Sequence, residues 1–212
     1  MMAARPFSAM DDMMTLRSLA AFAVAVLALA APAPAKAIYL SRSGDAATLY
    51  GTFGPGDETE FAAFLARKNV APLRVLYLDS LGGGILPAIA IARMVRKAGL
   101  TTAVRAASAN CDSACTLVFA GGVKRHYIHG EVVAEGFGAL SGLGFHPAYL
   151  KGDRAHFSLR SEKYVNLVNK VYPEMGAPGA ADLVRKGFTS TVYRPGGATC
   201  LRLHIATSLA EP

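Results

Sequence analysis

The chain has 212 residues, 52% of them hydrophobic and 17% charged, with a formal net charge of +7. That length and apolar share suit one domain able to bury a core. The basic residues (Arg93, Arg96, Lys97, Lys124, Arg125, Lys151, Arg185, Lys186) are scattered without interleaved aromatics, which argues against a nucleic-acid face. They read as a solvated basic surface, favouring an anionic envelope or acidic substrates.

The amino terminus reads as an address. Arg17 precedes an apolar run from Leu19 to Ala31, followed by Pro32, Pro34 and the triplet Ala35-Lys36-Ala37. A basic start, a short apolar stretch and an A-x-A site predict a secretory signal peptide over 1–37, leaving a domain at 38–212. The apolar run is shorter than the roughly 20 residues that a spanning helix needs, which weighs against an uncleaved anchor. No later segment is apolar for long enough to span, so the mature protein is expected to be soluble, in the periplasm or secreted. In that oxidising setting Cys111, Cys115 and Cys200 imply a disulfide with one thiol left over.

In chain order, Thr48 to Phe53 reads as a strand closed by the turn Gly54-Pro55-Gly56. Asp57 then caps a helix to about Lys68, with Phe61, Phe64 and Leu65 on its buried side. Arg74 to Leu78 is a short strand ending in Asp79-Ser80-Leu81 and three glycines. A helix from Leu86 to Lys97 ends at Gly99. Thr101 to Val104 is a strand, Ser113 to Ala120 a helix, and Lys124 to Ile128 a strand. A glycine-rich loop over 136–144 enters a strand ending at His146. A helix follows over about 158–171, another holds Asp182, and the tail from Gly187 to Pro212 reads as strand-rich. Strands alternating with helices predict an α/β fold of βαβ units around a mostly parallel sheet, with flanking helices.

Two segments carry candidate chemistry, and each follows a strand. In Asp79-Ser80-Leu81-Gly82-Gly83-Gly84, the missing Cβ atoms let backbone amides approach a ligand, though glycines also mark ordinary turns. In Asn110-Cys111-Asp112-Ser113-Ala114-Cys115-Thr116, a serine at a helix start has free amides beside it that suit an oxyanion. Ser113 or Asp112 serving only as a helix cap is the plainer alternative. Cys111 and Cys115, four apart on a predicted helix, lie within disulfide reach; pairing of Cys200 with either is the other option. A zinc site has too few ligands here.

Taken in order, these features resemble ClpP and its crotonase-fold relatives from about Thr48 to His146. Asp79-Ser80-Leu81-Gly82-Gly83 is similar to that family's Asn-Ser-Pro-Gly-Gly turn. Ser113-Ala114, with Phe119 to Arg125, is similar to its nucleophile helix and Gly-x-Lys-Arg exit. Gly144-Phe145-His146-Pro147 resembles the strand end that bears its histidine. Cys111-x-Ser113-Ala114-Cys115 resembles, more narrowly, a group of exported bacterial ClpP-like serine peptidase-type proteins.

The resemblance implies Ser113 as nucleophile, His146 as general base, and the amides of Gly83 and Ala114 as oxyanion hole. His129 is the rival base but lacks the Gly-x-His-Pro setting. The acid departs from the family pattern: Asp182 is assigned, ahead of Asp153 and Glu174, while a serine–histidine dyad and an inactive descendant stay open. The implied activity is a serine peptidase acting on peptides or unfolded segments. It needs no cofactor and no ATPase partner, and the family's rings imply a homo-oligomer. A silent domain that binds a peptide or protein partner is the alternative. A coenzyme A enzyme is disfavoured by export.

Overall fold

The computed structural model describes residues 38–68, 71–148, 161–188 and 191–212. The expected signal peptide lies outside them, as do Lys151, Asp153 and His156.

Strands β1 (Ile38–Ser43) and β2 (Ala46–Phe53) form an antiparallel hairpin. Its turn relies on Gly44 at φ 59°, a conformation that costs glycine little. β1 precedes the first strand expected from the sequence; only Ile38 is buried in this edge strand, so its hydrophobic alternation is faint. Helix α1 (Asp57–Leu65) follows, shorter than expected. The Asp57 carboxylate accepts a hydrogen bond from the Gly54 amide at 2.7 Å and closes the predicted turn.

Strand β3 (Val75–Gly83) runs on through the segment expected to be a turn. The reason lies in its alternation: Leu76, Leu78, Ser80 and Gly82 point inward while Tyr77, Asp79 and Leu81 do not. The β2–β3 register slips between Tyr50 and Thr52. At that bulge the Ser80 hydroxyl donates to the Gly51 carbonyl at 2.6 Å and accepts from the Gly82 amide at 3.1 Å, replacing lost ladder bonds.

Helix α2 (Ile85–Lys97) buries Ala88, Ile89, Ile91, Ala92 and Val95, a stripe of helical period. Gly99, at φ 68°, ends it, and Leu100 then donates to the Val95 carbonyl. β4 (Thr101–Arg105), β5 (Asn110–Asp112), α3 (Cys115–Gly121), β6 (Lys124–Ile128) and β7 (Gly142–Gly144) follow. β2, β3, β4 and β6 are joined in parallel in that order, with β1 as the antiparallel edge. β3 leaves β4 after Tyr77 and pairs β5 at Ser80, and β5 pairs β7 in parallel. The sheet therefore forks at β3. Every residue of α3 is buried, and a Cβ on Gly121 would stand 2.5 Å from the Ala92 carbonyl oxygen, so α2 and α3 touch backbone to backbone.

Beyond the sheet lie α4 (Glu162–Glu174), α5 (Ala180–Lys186) and α6 (Gly197–Arg202). The tail is not strand-rich as the sequence implied. Gly197 to Arg202 is helical, with Thr199 and Cys200 buried, so tertiary contacts override the β-branched composition. Among the described residues of the tail, strand-like contact survives in isolated bridges, one of which, His126 to Ser208, covers the free edge of β6.

Candidate functional site

Ser113 sits where the sheet forks. It precedes α3 instead of opening it, and its φ is 56°, a left-handed conformation rare for a side chain with a Cβ. This corrects the expected helix start at Ser113. Three contacts hold the strained backbone. The Ser113 amide donates to the Gly144 carbonyl at 2.8 Å, and its own carbonyl accepts from the Thr116 amide at 3.0 Å and hydroxyl at 2.5 Å. The Thr116 hydroxyl also lies 2.6 Å from the buried Tyr172 hydroxyl.

The cysteines bracket this elbow. Cys111 and Cys115 are joined as a disulfide with Cα atoms 5.1 Å apart, both fully buried, and Cys200 stays a buried free thiol whose pKa is pushed up by burial. The two cysteines are not stacked on one helix face. Ser113 and Ala114 lie before the helix, so the left-handed step at Ser113 draws the two cysteines together.

Gly82 closes the third side. A Cβ there would fall 2.7 Å from the Ser113 Cβ and 3.1 Å from the Ala114 nitrogen. Gly83, at φ 128°, is pressed against Phe53, where a Cβ would meet the backbone oxygen at 2.5 Å. The glycine corner thus brings the main chain of β3 directly against the serine elbow, and only glycine permits that approach.

His146 arrives from β7. The β5–β7 register pairs Asp112 with Gly144, so the chain leaves both strands side by side, toward Ser113 on one and His146 on the other. His146 Nδ1 lies 2.9 Å from the Pro147 carbonyl oxygen. A carbonyl only accepts, so Nδ1 carries the proton and Nε2 the lone pair. Burial lowers the imidazole pKa, opposed by the Pro147 hydrogen bond and the Asp112 charge.

Ser113 and His146 line the same two cavities. One, of about 20 Å³, is closed in by Ala114, Leu117, Phe145, Val168 and Tyr172. The other is an open groove of about 540 Å³ bordered by Phe53, Leu81, Gly83, Ile85, Leu86 and Tyr164. Asp182 stands apart. It lies in α5 with its side chain 61% exposed, pairs with Arg185, and lines neither cavity. His129 is also exposed and pairs with Glu131 at 3.2 Å, and Glu174 is held by Arg93 at 2.8 Å.

Among solved structures, the chain is similar to the 1510-N membrane-bound stomatin-specific protease. Against a serine-to-alanine mutant of that protein the TM-score is 0.51 at 13% identity, over 79% of this chain and 78% of that one. Against a lysine-to-alanine mutant in complex with a substrate peptide it is 0.54 at 12% identity, over 79% and 74%. The fold is the ClpP/crotonase fold. An enoyl-CoA hydratase from Thermoplasma volcanium GSS1 is also similar, at 12% identity over 82% of this chain and 71% of that one, with a TM-score of 0.49. No protein-family profile matches the chain, and no curated protein matches it.

Within the ClpP/crotonase fold, two residues of this site escaped the sequence reading. The sequence offers Asp112 only as a helix cap and gives no role to Arg194, yet they form a buried ion pair beside Ser113, 2.6 Å from Nη1 to Oδ1. An arginine so far along the chain from its partner carries no local signal. Asp112 could have been flagged as a charged residue set directly between a cysteine and the candidate serine.

Proposed function

We propose that this chain is a serine hydrolase that cleaves peptides or exposed protein segments through an acyl-enzyme on Ser113. The observation that carries the reading is that Ser113, held at a left-handed elbow, and a half-buried His146 line the same two cavities. Serine needs a base to take its proton, and the Nε2 lone pair of a neutral imidazole is such a base. In this reading Ser113 Oγ attacks the scissile carbonyl carbon while His146 Nε2 takes the hydroxyl proton. The amides of Gly83 and Ala114 stabilise the oxyanion. His146 then gives the proton to the leaving amine, and water, deprotonated by the same imidazole, hydrolyses the ester. The Pro147 carbonyl helps to orient the ring from its Nδ1 side.

The leader features and the paired cysteines favour action in the periplasm or outside the cell, where no ATP-driven unfoldase would feed the enzyme. Substrates would therefore be short or already unfolded, and a homo-oligomer is part of the proposal. A second reading keeps the fold as a silent peptide-binding domain. It is favoured by the Cys111–Cys115 bridge, which closes around the serine on both sides.

Labelling with a fluorophosphonate probe separates the two. The hydrolase reading expects wild type to label and Ser113→Ala not to. Equal labelling of both, with peptide affinity unchanged by the substitution, would leave the binding domain.

A further inference from the structure

Arg194 comes from the chain just before α6, yet its guanidinium ends inside the fork of the sheet, with the side chain 5% exposed. All five of its N–H donors are engaged. Nε donates to the Ala139 carbonyl at 2.9 Å. Nη1 donates to Asp112 Oδ1 at 2.6 Å and to the Gly142 carbonyl at 2.9 Å. Nη2 donates to Asp112 Oδ2 at 3.0 Å and to Asn110 Oδ1 at 3.2 Å. One planar group thus binds both ends of β5, the first residue of β7 and the loop that enters it. The Arg194 backbone also exchanges two hydrogen bonds with Gly136, at 2.8 and 2.9 Å, pinning that loop from its other end.

The clamp reaches Ser113 through one intermediate. The Asp112 carboxylate lies over Gly144, where a Cβ would stand 2.2 Å from Oδ1. Gly144 is the residue whose carbonyl holds the Ser113 amide, and His146 follows it by two positions. A bidentate fork fixes a carboxylate in both position and plane, which a single ammonium does not.

We propose that Arg194 is the positioning residue of this site: through Asp112 and Gly142 it holds β5 and β7 in the register that presents Ser113 beside His146. Its guanidinium donates to Ala139, Asp112, Gly142 and Asn110, so it acts on Ser113 and His146 through these neighbours. The inference rests on the hydrolase reading above. A displacement of about 1 Å is enough to cost about a hundredfold in rate, so loss of the fork is read in the chemical step more than in binding.

The test measures fluorophosphonate labelling of Ser113 in wild type, Arg194→Met, Arg194→Lys and the double variant Asp112→Asn/Arg194→Met. Removing Arg194 alone leaves a buried carboxylate without its partner and risks unfolding. The double variant removes both charges and guards against that. Folding is followed by near-ultraviolet circular dichroism. The expected result for the folded variants is a maximal labelling rate lower by about tenfold or more, with half-saturating probe concentration changed less than about twofold. Lysine is expected to recover only part of the rate. Folded variants labelling within about twofold of wild type would overturn the inference while leaving the hydrolase reading intact. Loss of fold in all three variants would also overturn it, in favour of a purely structural role. Wild type labelling no faster than Ser113→Ala would overturn the hydrolase reading, and this inference with it.

Discussion

The amide of Ser113 donates to the carbonyl of Gly144 at 2.8 Å, so the serine elbow is fastened to the strand that leads to His146. Two segments more than thirty residues apart in the chain thereby move as one unit. Any change that loosens this contact should alter the distance between hydroxyl and imidazole before it alters the fold.

Gly82 sits against that elbow at φ 96°, with no room for a methyl group. Gly82→Ala forces a Cβ to within 2.6 Å of the Asp112 carbonyl oxygen, and backbone has to move. The expected cost is about 1–3 kcal/mol of stability, with probe labelling lost out of proportion to it. Chemical denaturation and labelling of the same preparation check both.

The Cys111–Cys115 bridge closes a very short loop, so its entropic contribution is modest, about 2 kcal/mol on the chain-entropy account. The double Ala variant is expected to fold, to melt at lower temperature and to label Ser113 more slowly. Intact mass with and without reduction reports the bridge itself. Three free thiols in the oxidised protein would sink this prediction.

Burial is the largest influence on His146 and lowers its pKa. The neutral ring then persists below the ordinary value of about 6.5, and the acid limb of the labelling rate should fall below that pH. The sign for stability follows from linkage. The unfolded chain binds the proton more readily, so the contribution is complete above about pH 6.5 and is lost as pH falls through the folded value. Melting curves between about pH 8 and about pH 5 should show this loss in wild type and a weaker one in His146→Gln.

Asp112 and Arg194 form a pair with side chains 10% and 5% exposed. Asp112→Asn leaves the guanidinium without its counter-charge, and the expected loss is about 3–5 kcal/mol, read from denaturant midpoints. Asp182→Asn serves as the contrast. It removes an exposed carboxylate paired only at the surface, so stability should change by less than about 0.5 kcal/mol. Labelling that collapses in Asp182→Asn would restore it as the triad acid.

Much of this was legible along the chain, and the reason is local chemistry. Helix α2 announced itself by its apolar stripe and its glycine stop, and β4 and β6 by short segments with β-branched or aromatic residues that follow the glycines Gly99 and Gly122. The Gly82-Gly83 corner, Ser113 and His146 were all visible as residue types in a telling order. β1 escaped because an edge strand with one buried residue scarcely alternates, and α6 because Thr199 favours a strand until burial decides otherwise.

The sequence alone determined the succession β2, α1, β3, α2, β4, α3 and β6 and the residues able to do chemistry, since spacing and side-chain type are properties of neighbours in the chain. The tertiary structure decided the strand-like course of the glycine corner, the left-handed turn at Ser113, the pairing of Cys111 with Cys115 and the clamp from Arg194. Each of these depends on contacts between segments far apart along the chain, and such contacts are set by packing instead of local preference.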